Sequence, residues 1–175
     1  GGGIAALYSY HPDRQSVTVV NSTIAGNTAG YYGGGLYLRT GSNRIIQSTI
    51  SGNSASQAGG IYVGDAGGAE ISLSTVTDNT ATGPHTLPAV HGIQVGGGTA
   101  ALATGSGSRA HRDEVGPAGD GRNHARHQVG ALTVPPIPAG TVHLVGSIVA
   151  GNGALDLGDY NDEAVPAQSL HSVLG

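Results

Sequence analysis

Ser22-Thr23-Ile24-Ala25-Gly26-Asn27 returns as Ser48-Thr49-Ile50-Ser51-Gly52-Asn53, and again as Ser74-Thr75-Val76-Thr77-Asp78-Asn79. The step is 26 residues both times. A fourth copy, Ser147-Ile148-Val149-Ala150-Gly151-Asn152, follows a long interruption. A second signal runs beside the first. Gly34-Gly35-Leu36-Tyr37-Leu38 recurs as Gly59-Gly60-Ile61-Tyr62-Val63 and then as His91-Gly92-Ile93-Gln94-Val95, and the chain opens on Gly2-Gly3-Ile4. A fixed period in the twenties marks a solenoid, in which one repeat buries its apolar side only by stacking on the next.

Within one period, Val17 to Val20 is a β-branched run and reads as a strand. A corner near Asn21 leads to a second strand, Ser22 to Ala25, which Gly26-Asn27 ends. A third, Gly34 to Leu38, follows a loop holding Tyr31 and Tyr32. Three short strands and three corners in about 26 residues make one turn of a parallel β-helix. The second coil uses Arg44 to Ile46, Ser48 to Ser51 and Gly60 to Val63, with Gly64 to Gly68 as the next corner. The third uses Glu70 to Leu73, Ser74 to Thr77 and Gly92 to Val95, with a longer loop from Thr80 to Val90. The expected fold class is all-β, a single-stranded parallel β-helix of about 26 residues per coil.

Three regions follow. Residues 1–95 are β-helix coils. Residues 96–140 lose the pattern, are rich in Gly, Ala, Arg and His, and read as an irregular, disordered insertion; an ordered functional loop and a reading-frame artefact are the alternatives. Residues 141–175 resume with Val142-His143-Leu144-Val145 as a final coil and end in an acidic tail.

Stacked coils lie about 4.8 Å apart, so residues one period apart sit above one another. Ile24, Ile50, Val76 and Val149 are expected to form one inward stack, and Val19, Ile45, Ile71 and Leu144 another. Asn27, Asn53, Asn79 and Asn152 are expected to hold a corner in left-handed backbone and to bond side chain to side chain as a ladder. The Gly pairs before the third strand supply a corner where a Cβ would clash.

Composition agrees. The chain has 175 residues, 32 of them Gly, with no Cys, Met, Trp or Phe, and its seven basic residues are all Arg. A core must then come from Ile, Val, Leu and Ala, which stacked coils accommodate. A net charge of −4 with 10% charged residues argues against nucleic-acid binding. No apolar run reaches the roughly 18 residues of a membrane span. The absence of Cys excludes a disulfide scaffold. No signal peptide is visible, and the chain starts and stops in mid-pattern, as a fragment would. Such coil ends present unpaired strand edges, so self-association through open coil ends is expected.

The Ile/Val-x-x-Asn motif alternating with Gly-Gly-(Ile/Leu)-Tyr resembles repeats of bacterial right-handed parallel β-helix surface proteins. It is similar in style to the polymorphic outer membrane proteins, with Ile or Val in place of their Phe and Gly in place of their Ala. The stretch from Ser147 also resembles the last coil of secreted bacterial β-helix proteins. The resemblance covers residues 1–95 and 141–175. It implies a right-handed coil and a secreted or surface-attached bacterial protein, extracellular or at the outer membrane.

Parallel β-helices also carry polysaccharide lyases, hydrolases and epimerases, so chemistry has to be sought in particular residues. The Asp-Asp pair and Gly-His-Gly element of polygalacturonase-like hydrolases are missing, since His91-Gly92 lacks the preceding Gly. Asp65, Glu70 and Asp78 are the carboxylates of the regular coils and fall at different places in the repeat. Glu70 lies one coil above Arg44, where a surface ion pair suffices, and Asp78 fills a turn position held by Gly26 and Gly52. His111, His124 and His127 cluster in the insertion, where His124-x-x-His127 would suit a metal if the segment is ordered, against the alternative of a solvated flexible loop. Asp156, Asp159 and Asp162 are spaced for calcium, against the alternative of a solvated tail. Tyr31, Tyr32, Tyr37 and Tyr62, with Tyr8, are the candidates for ligand contact. Aromatics stacked on a flat sheet bind sugar rings, but they also stabilise sheets as neighbouring pairs.

Two functions are therefore carried forward. One is a non-catalytic structural or adhesive β-helix segment whose partners are surface glycans or further copies of itself. The other is a polysaccharide-active enzyme fragment, of lyase, hydrolase or epimerase type, acting on an acidic glycan.

Overall fold

The computed structural model describes residues 1–7, 15–84, 90–96, 137, 139–153, 155–159 and 173–174. The strands in chain order are β1 (Ile4–Ala6), β2 (Thr18–Val20), β3 (Thr23–Ala25), β4 (Leu36–Ile46), β5 (Thr49–Ser51), β6 (Ser54–Ala55), β7 (Ile61–Ser72), β8 (Thr75–Thr77), β9 (Thr80–Ala81), β10 (Val90–Val95), β11 (Thr141–Val145), β12 (Ile148–Val149), β13 (Leu155–Asp159) and β14 (Val173–Leu174). Every pairing among them is parallel. A seven-stranded sheet runs β1-β4-β7-β10-β13, with β2 on β4 and β11 on β7. A five-stranded sheet runs β14-β12-β8-β5-β3, and β6 and β9 make a two-stranded sheet. Each successive coil thus adds a layer to the two larger sheets.

The register follows the repeat. Ile24 pairs with Ile50, Ile50 with Val76 and Val76 with Val149. Val19, Ile45, Ile71 and Leu144 form the second column, and Ile4, Leu36, Ile61, Ile93 and Leu157 a third. Apart from the half-buried Ile4, all of these are buried in one aliphatic core. Each buried Val, Leu or Ile contributes about 1.5–3 kcal/mol, so a core without Phe, Met or Trp suffices when it is repeated.

Two features differ from expectation. Gly64 to Gly68 is not a corner but lies within β7, because the third strand of one coil runs directly into the first strand of the next. The spacing explains how. Leu38 pairs with Val63 at an offset of 25, whereas Thr40 pairs with Ala66 at an offset of 26. The extra residue is a bulge at Gly64-Asp65 opposite Arg39, which bends the strand without breaking it. The small sheet of β6 and β9 was hidden in what reads as loop, because two-residue strands carry no visible alternation.

The left-handed positions also differ. The repeat asparagines do not adopt positive φ. The residues before them do: Gly26 (φ 68), Gly52 (φ 62), Asp78 (φ 55) and Gly151 (φ 71). A second set sits at the other corner, at Asn21, Gln47, Leu73 and Gly146. The asparagine is freed from turning the chain, and its amide points along the stack. Asn27, Asn53 and Asn79 each donate Nδ2–H to Oδ1 of the next Asn at 3.0, 3.0 and 2.8 Å. The same oxygens also accept the backbone N–H of the preceding Asn at 3.0–3.1 Å.

Ser22, Ser48, Ser74 and Ser147 make a parallel ladder that the sequence reading did not explain. The backbone N–H of each of the first three donates to the next Oγ at 3.1–3.2 Å. Each hydroxyl then donates to the carbonyl two residues earlier.

Beyond the third coil, most of 96–140 lies outside the described residues. Ile137 does not: it is buried, and its N–H donates to Ser42 Oγ at 3.0 Å.

Candidate functional site

Tyr37 on β4 and Tyr62 on β7 are direct register partners on neighbouring coils. Their ring centroids are 5.5 Å apart. The loop from β3 to β4 brings Tyr32 onto the same pair. Its ring lies 4.5 Å from Tyr62 and 5.8 Å from Tyr37, nearly parallel to the latter at 27°. Tyr31 extends the row, 6.4 Å from Tyr32. Glycines make this loop path available. Gly33 is left-handed at φ 60, and a Cβ on Gly34 would lie 2.5 Å from Ser54 O.

The four rings are not equivalent. Tyr31 is 76% exposed, Tyr32 and Tyr37 are half-buried, and Tyr62 is 7% exposed. Tyr62 is therefore not the outward contact residue that its place in the repeat suggests. Tyr32 is folded against it from the loop, so it supports the others from below. Tyr31, Tyr32 and Tyr37, with Thr28, Ala29, Gly30 and Gly1, line an open cleft of about 500 Å³. The side chains of that lining carry no charge. Partial burial pushes the Gly1 amino group below its usual pKa. Thr28 shares a 3.1 Å hydrogen bond with Ser54 in which either hydroxyl can donate.

A family model described as a right handed beta helix region matches residues 3–111, more than half of the chain. The chain belongs to that family. No curated protein and no solved structure matches it.

In this right-handed β-helix the remaining candidates fall as follows. Asn27, Asn53, Asn79 and Asn152 are scaffold, with the last three buried in the ladder. Asp156 ends it: its Oδ1 accepts Nδ2–H and N–H of Asn152 at 2.6 and 2.9 Å. The side chain of Asp159, and Asp162 entirely, lie outside the described residues, as do His111, His124, His127 and Tyr8. Among the described residues no three His, Asp or Glu side chains come together as a metal-binding group. Asp65 is exposed at the bulge, and Asp78 holds its left-handed turn. Glu70 accepts from Ser72 Oγ at 3.2 Å.

One grouping went unnoticed in the sequence. Glu70 is flanked in register by Arg44 on one side and His143 on the other. His143 Nε2 is buried without a hydrogen-bond partner. The signal was available, since Val142 to Val145 aligns with Ala69 to Ser72 as a first strand.

No helix among the described residues is long and apolar enough to cross a membrane.

Proposed function

We propose that the chain is a non-catalytic structural and adhesive segment of a secreted or cell-surface bacterial protein, as the likeness to polymorphic outer membrane repeats suggests. One observation carries this reading. The Asn and Ser that recur in every coil bond to the next coil, so the repetition serves the scaffold. Side chains left on the outside include the hydroxyls of Thr23, Thr49 and Thr75 in one register column and the tyrosine cleft. Surface glycans and further copies of the same coil are the partners it implies. Calcium held by the tail carboxylates Asp156, Asp159 and Asp162 belongs to the same proposal, and a calcium-dependent rise in melting temperature is its measurement. The main test is a glycan array run beside a lyase and hydrolase screen on acidic and neutral polysaccharides. Binding without turnover supports the reading, and turnover overturns it.

A second reading, an enzyme on an acidic glycan, is favoured by the Arg44-Glu70-His143 column. Arg44 would hold a carboxylate, while Glu70 and His143 are groups suited to proton transfer. Turnover of polygalacturonate that is lost in both Glu70→Gln and His143→Gln supports it.

A further inference from the structure

An exposed tyrosine alone means little, since scattered apolar residues are normal on a surface. Tyr31 is different because its ring is the outer end of a continuous row. Tyr31, Tyr32 and Tyr37 are spaced at 6.4 and 5.8 Å between centroids. Tyr62 is packed against Tyr32 at 4.5 Å and fixes it in place. The row lines a cleft of about 500 Å³, inside the roughly 300–1,000 Å³ range of ligand pockets.

The lining selects a chemistry. Its side chains come from Thr28, Ala29, Tyr31, Tyr32 and Tyr37, so none carries a formal charge. A charged ligand would lose hydration there and meet no charged side chain, only the Gly1 amino group, whose partial burial disfavours its charged form. Tyrosine and threonine hydroxyls each donate and accept, as sugar hydroxyls do. The flat faces of tyrosine offer apolar area at a low entropy cost. Three rings in a row, rather than one, suit a ligand that itself repeats.

We infer that the Tyr31-Tyr32-Tyr37 cleft binds an uncharged oligosaccharide, with successive pyranose rings against the tyrosine faces. Thr28 and the tyrosine hydroxyls bond the sugar hydroxyls. Tyr62 is a positioning residue beneath the platform. The inference rests on the adhesive reading and names the ligand class for it.

The test is calorimetric titration of the full chain with cellohexaose, mannohexaose, xylohexaose and maltohexaose, and with hexagalacturonate as the charged counterpart. At least one neutral hexaose is expected to bind, more tightly than its monosaccharide, with hexagalacturonate weaker. Loss of one stacking face corresponds to about a tenfold change in affinity. Tyr31→Ala should therefore weaken binding by about that factor with the melting temperature unchanged, while Tyr31→Phe retains most of it. Hexagalacturonate binding as tightly as the neutral sugars, binding indifferent to Tyr31→Ala, or no binding of any neutral hexaose overturns the inference. The two readings fail separately. Turnover of a bound neutral sugar sinks the non-catalytic reading and leaves the cleft assignment to the Tyr31 variants. Absence of both binding and turnover sinks the cleft and leaves the scaffold.

Discussion

Asn152 brings two donors to one oxygen: its Nδ2–H and its backbone N–H meet Asp156 Oδ1 at 2.6 and 2.9 Å. In every earlier rung that oxygen belongs to the asparagine of the next coil. Here it belongs to a carboxylate four residues along the same chain. An ionised carboxylate accepts but has nothing to donate, so the ladder stops there. Asp156→Ala leaves the buried Asn152 N–H unpaired and should cost about 1–3 kcal/mol. Asp156→Asn keeps the acceptor and should cost well under that. Urea denaturation of the two variants checks the order.

Val76 is fully buried between Ile50 and Val149. Val76→Asp places an unpaired charge in the core, and a loss above about 4 kcal/mol is expected, seen as an unfolded or aggregated chain. Thr23 shows the contrast. It is exposed at a strand position beside the inward stack, so Thr23→Asp should stay within about 0.5 kcal/mol of the parent. Circular dichroism melts of the pair test the alternation directly.

The aliphatic stacks and the asparagine ladder were legible because the sequence states them four times over. A repeat turns a weak local pattern into a register, and the register fixes which residues touch. What appears once was harder to read. The bulge at Gly64-Asp65 shows only as a change of spacing from 26 to 25, and the Gly-rich run around it looks like a corner. The tyrosine site was half legible. Tyr37 and Tyr62 share a repeat position, but Tyr32 comes from the loop, and its folding onto Tyr62 is a tertiary event with no periodic trace. The recurring Asn marks the ladder in the sequence, but the left-handed turn falls one residue before it, because Gly26 and Gly52 do the turning.

Leu73 is in left-handed backbone at φ 51 with its side chain 62% exposed. The equivalent residue at the same corner of the other coils is Asn21, Gln47 or Gly146. A left-handed β-carbon costs roughly 1–2 kcal/mol in an ordinary residue, and asparagine tolerates it better. Leu73→Asn should therefore raise stability by about 0.5–1 kcal/mol, read as a higher urea midpoint with an unchanged slope.

The Gly pairs make the opposite prediction. A Cβ on Gly60 would lie 2.5 Å from Gly92 O and 3.0 Å from Asn79 Nδ2, so it meets the next coil and the ladder together. Gly60→Ala should cost about 1–3 kcal/mol. Gly30 has nothing within 4 Å of its Cβ position. Gly30→Ala should be neutral, and a matched loss in both variants would count against close coil stacking as the cause.

Ile137 sets the boundary of what can be removed from the third coil's long connection. β10 ends at Val95 in register with Val63, and β11 resumes at Thr141 in register with Gly68, so both strands belong to the same stack on β7. Ile137 is buried and exchanges hydrogen bonds with Ser42, N–H to Oγ at 3.0 Å and Oγ–H to carbonyl at 3.4 Å. Deleting 98–136 and joining the ends with a short Gly/Ser link keeps that anchor. The expected result is β-rich circular dichroism and a cooperative melt like the parent's. Extending the deletion through Ile137 removes a buried aliphatic side chain and leaves Ser42 without its partner. That shorter chain should be less stable by about 2–5 kcal/mol, the range for losing a buried Ile. Failure of the first deletion to fold would mean that the segment between Gly98 and Pro136 is integral to the coils. Equal stability of the two deletions would remove Ile137 from the core.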